Sequence, residues 1–272
     1  MDIRKLRLIS FDMDGTVLAD RSEITSRLAR ALSDAAKRRI LVVPCTGRGR
    51  SQVPKTVEEL RPPFTITSNG ARIRDEKTGD TICRKLLDWQ IAAEVLGALK
   101  SWDVFVCVHM DETVWHQWGD EEYIRRRYRV PSYAQVLLTD DARALVRGKR
   151  HGVEKIFVRA GEAGEREEIR GSILARFPVS CSSSSAYNLE FSAPDCSKGA
   201  ALRWLCGRLG IEGSEVMAFG DGENDREMLQ FAGRGIAVGN ALPVCREAAD
   251  EIIGDCASDG VAEYLEKIFT NL

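Results

Sequence analysis

Apolar residues along this chain come in two rhythms. Short, mostly apolar runs at 6–11 (LRLISF), 40–45 (ILVVPC), 64–67 (FTIT) and 216–220 (VMAFG) have the length of buried strands. Between the first two, residues 25–37 carry apolar side chains at 28, 31, 32, 35 and 36, the spacing of one helix face. A short helix is expected at 54–60. Another is expected at 198–209, with Leu202, Leu205 and Leu209 on one side. The alternation then continues through helices at 223–231, 244–249 and 260–269 and strands at 235–238 and 251–253. Strands alternating with helices predict a doubly wound, Rossmann-like α/β core with a mostly parallel sheet covered on both faces.

The middle of the chain breaks that rhythm. Asn69-Gly70 is a turn signal, and Thr78-Gly79 closes a further hairpin. Residues 103–110 and 113–116 read as neighbouring strands joined by Asp111-Glu112. Further strands are expected at 153–158 and 179–181, with a helix at 164–174 between them. A serine turn at 182–185 and a strand at 187–191 then lead the chain back. This pattern predicts a discontinuous core, residues 1–82 and 190–272, with an α+β domain inserted at 83–189.

Charge and composition change this picture little. The formal net charge of −2 gives no bulk attraction to nucleic acid or anionic membrane. Within 83–189 sixteen Lys and Arg face fifteen Asp and Glu, so the run RRRYR (125–129) does not make a basic domain. It follows Asp120-Glu121-Glu122, which offers i,i+4 pairing on a solvated helix. No apolar window is long enough to span a membrane, and the first apolar stretch is too short for a signal peptide and runs into Asp12. The eight cysteines form no C-x-x-C pair, so free thiols in a cytoplasmic protein are expected rather than a zinc cluster.

Four clusters carry the chemistry: FDMDGT (11–16), CTGR (45–48), SKG (197–199) and GDGEND (220–225). Three follow predicted core strands and SKG opens a helix. A parallel sheet would gather them at its carboxyl edge, where ligands bind. Asp12 and Asp14 crowd like charges at a strand end, where a carboxylate group needs a cation. Oxygen ligands suit Mg²⁺. One Lys and glycine-flanked amides suit an anion such as phosphate. A metal joining carboxylates to phosphate points to phosphoryl transfer.

In this order, the four clusters resemble the haloacid dehalogenase-like phosphatase superfamily. The long insert, SNGA (68–71), YNLEF (187–191) and GDGENDREMLQFAGRGIAVGNA (220–241) resemble its Cof-type group of sugar phosphatases with a large α+β cap. The resemblance implies a Mg²⁺-dependent phosphomonoester hydrolase that acts on a small phosphorylated metabolite through an aspartyl-phosphate. Asp12 would be the nucleophile and Asp14 the general acid and base. Mg²⁺ would be held by Asp12, the Asp14 carbonyl and Asp221, with Asp225 orienting the metal shell. Met13, Thr46, Gly47, Asn69, Gly70, Lys198 and Asn224 would contact phosphate or substrate. The insert would close over the cleft as a cap. A phosphomutase or phosphotransferase would use the same nucleophile, and a non-catalytic phosphate-binding module could keep the same fold.

The remaining candidates are weaker in pattern. Arg48 reads as a structural or rim residue. His109, His116 and His151 all fall in the insert. Trp115, His116 and Trp118 could read a leaving group, although ordinary packing accounts for them as well. The sequence specifies neither the substrate nor the oligomeric state.

Overall fold

In a computed structural model, the described residues are all those of the chain except 1–2, 20–22, 118, 120, 129, 131–134, 162 and 271–272. The fully buried strand Leu8–Phe11 lies between Val216–Gly220 and Leu41–Pro44, parallel to both. Apolar residues at nearly every position suit a strand covered on both faces. The five-stranded sheet runs Glu251–Ile252, Arg234–Ala237, Val216–Gly220, Leu8–Phe11, Leu41–Pro44, and every pairing is parallel. Pro44 falls on the edge strand, the place where a missing N–H does least harm to a ladder.

Helices with local start signals flank this sheet. Ser26–Lys37 begins at Thr25, whose hydroxyl accepts from the Leu28 amide at 3.1 Å. Its apolar face buries Leu28, Ala31, Leu32 and Ala35. Lys198–Leu209 begins at Ser197, which accepts from the Ala200 amide at 3.0 Å, and ends at Gly210 in the left-handed region. A cap of this kind stabilises a helix by about 1 kcal/mol.

The segment at 64–67 keeps the expected parallel sense towards the core but also begins a second sheet. Phe64–Thr67 pairs antiparallel with Arg72–Asp75 in a three-stranded sheet completed by Thr81–Arg84. It meets the core at the Cys45–Ile66 bridge. The antiparallel partner comes from the turn at Ser68–Gly70, which sends the chain straight back after Phe64–Thr67.

The described residues divide into two compact units. One comprises Met1–Gly47, Val53–Cys83 and Ser197–Leu272, and the other Arg48–Gln52 and Arg84–Cys196. The second unit holds a six-stranded, largely antiparallel sheet in the order Ser180–Ser182, Asn188–Ser192, Val153–Arg159, Phe105–Met110, Thr113–Gln117, Leu137–Leu138. Asp111 and Glu112 join two of these strands with φ of 56° and 63°, the geometry of a tight two-residue hairpin. Two helices of this unit, Trp89–Leu99 and Ala142–Lys149, were not anticipated from the sequence. The first is apolar enough to read as a strand or a helix, and the second is short. Residues 125–128 of the basic run lie in the helix Glu121–Tyr128, where Arg125 pairs with Glu121 at 2.7 Å. All eight cysteines are free thiols. No helix among the described residues is long and apolar enough to cross a membrane.

Candidate active site

The sheet register aligns the loops that carry the carboxylates. Phe11 pairs with both Phe219 and Pro44. The ladder continues one step beyond the strands: the Asp12 amide donates to the Phe219 carbonyl at 3.0 Å, and the Cys45 amide to the Phe11 carbonyl at 2.9 Å. Asp12, Thr46 and Asp221 therefore leave neighbouring strands at the same edge. Oxygens of Asp12, Asp221 and Asp225 lie within 4.8 Å of one another. The exposed Asp14 carboxyl stands outside that group.

Lys198, the first residue of its helix, is wholly buried. Its ammonium donates to Asp12 Oδ1 at 2.5 Å and to Asp225 Oδ1 at 2.7 Å. The other oxygen of Asp225 accepts from the amides of Asp221 and Gly222, at 3.0 and 2.9 Å. Asp225 thus has one oxygen on Lys198 and the other on the Asp221 loop. Its position in the turn ahead of Arg226–Phe231 lets it organise the helix entry as well.

Burial holds the Asp12 carboxyl well above the usual carboxylate range. Lys198 offsets part of this, and Asp225, Asp221 and Asp14 reinforce it. Burial alone would disfavour the Lys198 ammonium, but Asp12 and Asp225 outweigh it and hold the group well above its ordinary value. Asp221 is pushed up to about 7, by burial first and then by Asp225. When ionised, the three crowded carboxylates outnumber the one ammonium, so the centre favours a cation. An all-oxygen donor set with that charge fits a hard divalent cation.

Two glycines permit the close approaches. Gly15 has φ +85°, and a Cβ there would lie 2.4 Å from Asp221 Oδ2. Gly70 has φ +96°, and a Cβ would lie 2.3 Å from the Ser197 carbonyl, at the start of the lysine helix. Ser68 and Asn69 precede it, also at positive φ (50° and 57°) and buried. The Asn69 amide donates to the Thr46 carbonyl at 3.0 Å, and its side-chain oxygen accepts from Asn224 at 3.1 Å. Asn69 therefore joins the second cluster to the fourth. Asn224, expected beside phosphate or Lys198, makes this amide bond to Asn69. Fully buried Thr46 and half-buried Gly47 follow the edge strand, and Met13 buries its side chain in the core.

Two contacts had no role in the sequence reading. The Thr16 hydroxyl donates to Asp221 Oδ1 at 2.7 Å. Asn240 donates to the Gly15 carbonyl at 2.7 Å. Both lie inside stretches that could have suggested them, Thr16 in FDMDGT and Asn240 in the run 220–241.

The insert residues have partners within their own unit. The Arg48 guanidinium donates to the Gln52 carbonyl at 3.0 Å. His116 is buried, with Nδ1 at 3.3 Å from the Leu137 carbonyl and its ring tilted against Phe105. Lys149 lies over the Trp115 ring. His109 is buried, and burial, with Lys155 and His116, lowers its pKa well below the ordinary value. Trp118 lies outside the described residues.

A family model described as haloacid dehalogenase-like hydrolase matches residues 9–265. The HMP-PP phosphatase of Cronobacter sakazakii is 32% identical over 264 residues, covering 95% of this chain and 94% of that protein. The HMP-PP phosphatase of Serratia proteamaculans is 32% identical over 271 residues, covering 96% and 94%. Among solved structures, a haloacid dehalogenase-like hydrolase from B. subtilis superposes with a TM-score of 0.86 at 25% identity, covering 96% of this chain and 99% of that one. One from Bacteroides thetaiotaomicron gives 0.81 at 26%, covering 97% and 99%.

Proposed function

The chain belongs to the haloacid dehalogenase-like hydrolase family, and from that premise we propose that it is a Mg²⁺-dependent phosphatase acting on a small phosphorylated metabolite. The observation that carries this reading is buried Asp12, held by Lys198 at 2.5 Å in a group with Asp221 and Asp225. The relatives named HMP-PP phosphatases support a phosphate-releasing reaction. In this reading the unit built on Arg84–Cys196 is the cap of the enzyme.

Mg²⁺ would be held by the Asp12 carboxylate, the Asp14 carbonyl and Asp221, and would neutralise charge on the phosphoryl group. The Asp12 carboxylate attacks phosphorus, and the bond from phosphorus to the ester oxygen breaks. Asp14, exposed and one residue away, gives its proton to that oxygen. The aspartyl-phosphate is then attacked at phosphorus by water, whose proton returns to Asp14, releasing inorganic phosphate and the Asp12 carboxylate. Lys198 keeps Asp12 aimed and, with Thr46 and the amides of Met13 and Gly47, binds the phosphoryl oxygens. Asn69 ties the Thr46 and Asn224 loops together, and Gly70 lets that turn approach Ser197 at the start of the lysine helix.

The test is phosphate release from p-nitrophenyl phosphate and from a panel of sugar phosphates, nucleotides and HMP-PP, with Mg²⁺ and with chelator. Mg²⁺-dependent turnover that disappears in Asp12→Asn is expected. Full turnover in Asp12→Asn, or none of the panel hydrolysed by the unaltered protein with Mg²⁺, would remove the reading.

A further inference from the structure

The loop after the strand Arg234–Ala237 touches both sides of the acidic centre. The Leu242 amide donates to the Asp221 carbonyl at 2.8 Å, and the Val238 amide to the Gly220 carbonyl at 3.2 Å. On the other side Asn240 Nδ2 donates to the Gly15 carbonyl at 2.7 Å. The opposite end of the same amide, Oδ1, accepts from the Cys256 amide at 2.8 Å, which sets the direction of the donor. Arg246 fixes the loop itself: its guanidinium donates to the carbonyls of Ala241, at 3.0 Å, and Gly239.

The Gly15 turn is the part of the nucleophile loop nearest Asp221. Its hydrogen bonds are local, from the Gly15 amide to the Leu18 carbonyl at 2.9 Å and from the Leu18 amide to the Met13 carbonyl at 2.7 Å. They shape the turn but do not set its distance from the Asp221 loop. Thr16 reaches across, through Asp221 Oδ1 at 2.7 Å, and Asn240 does so through the Gly15 carbonyl. Asn240 is exposed, so it contributes little apolar burial to the core.

We propose that Asn240 is a positioning residue, which holds the Asp14–Thr16 turn against the Asp221 loop and so sets the spacing of the oxygens that take a divalent cation. This rests on the cation-binding part of the proposed function. Groups that orient metal ligands from behind typically change metal affinity or activity 10- to 100-fold when removed.

The test compares the unaltered protein with Asn240→Ala, without substrate. Mg²⁺ affinity is measured by calorimetry, and amide hydrogen exchange is followed in the segment 13–18. The expected result is Mg²⁺ binding weakened about tenfold or more, with faster exchange confined to that segment and its neighbours and a melting temperature within a few degrees. Asn240→Asp keeps the acceptor for Cys256 and the shape but cannot donate to Gly15, and the same acceleration at 13–18 is expected. Mg²⁺ affinity within about twofold, with unchanged exchange at 13–18, would overturn the proposal. So would Asn240→Asp with the exchange of the unaltered protein, should the alanine variant not fold. Absence of phosphatase activity would count against the proposed function alone, since neither readout uses a substrate.

Discussion

The Lys198 ammonium and Asp12 Oδ1 lie 2.5 Å apart, although 186 residues of chain separate them. Both groups are buried, and the same ammonium also holds Asp225. Removing one partner of a buried pair leaves charge without compensation, at about 3–5 kcal/mol. Lys198→Ala is therefore expected to lower the melting temperature by several degrees and to reduce turnover at least about 100-fold. Because Mg²⁺ can replace part of the lost positive charge, added Mg²⁺ should recover more melting temperature in the variant than in the unaltered protein. Unchanged kinetics would return Lys198 to an ordinary structural lysine.

Asp12→Asn keeps the shape and removes both the nucleophile and one of the crowded charges. Turnover should fall on the order of 10³-fold or more. Metal-free stability at neutral pH should hold or rise, because burial holds the native carboxyl well above its usual range. Thermal melts and phosphate-release assays on the same preparation separate the two effects.

Asp221 supplies a pH dependence with a definite sign. Burial pushes its native pKa up to about 7 from an ordinary value of 3.8, so between these values the native state binds more protons than the unfolded state. Its contribution to metal-free stability therefore falls as pH rises from about 4 through about 7. A cation must displace that proton, so Mg²⁺ affinity should weaken by up to about tenfold per pH unit below 7, with proton release on binding. The Thr16 hydrogen bond lowers this pKa. Thr16→Val should thus move the onset of weakening to higher pH, as read by calorimetric Mg²⁺ titrations from pH 5.5 to 8.5. An onset that stays in place would dissociate Thr16 from the titration.

Gly15→Ala tests the close approach of the two loops. A left-handed backbone disfavours alanine by roughly 1–2 kcal/mol, and the added Cβ would lie 2.4 Å from Asp221 Oδ2. Reduced stability and markedly weaker Mg²⁺ binding are both expected. A variant that loses stability but binds Mg²⁺ normally would show that the turn and the Asp221 loop can separate without harm to the centre.

The amino-acid sequence by itself determined the parts governed by short-range physics. Mostly apolar runs at 8–11 and 216–220 have the length and composition of covered strands, and Thr25 and Ser197 start helices through the hydrogen bonds that such residues make locally. Asp12, Thr46, Lys198 and Asp221 were legible because each sits at a strand end or helix start within a recognisable cluster. The tertiary structure alone decided what depends on long-range register. Parallel pairing of Phe11 with Phe219 and Pro44 brings the loops to one edge. The turn at Asn69-Gly70 folds Arg72–Asp75 back on Phe64–Thr67 in a separate sheet. Asn69 meets Asn224 across 155 residues, and Asn240 meets Gly15 across 225. Hydrophobic period and capping chemistry report on neighbours a few residues away, whereas a hydrogen bond between two loops exists only once the sheet has set the distance between them.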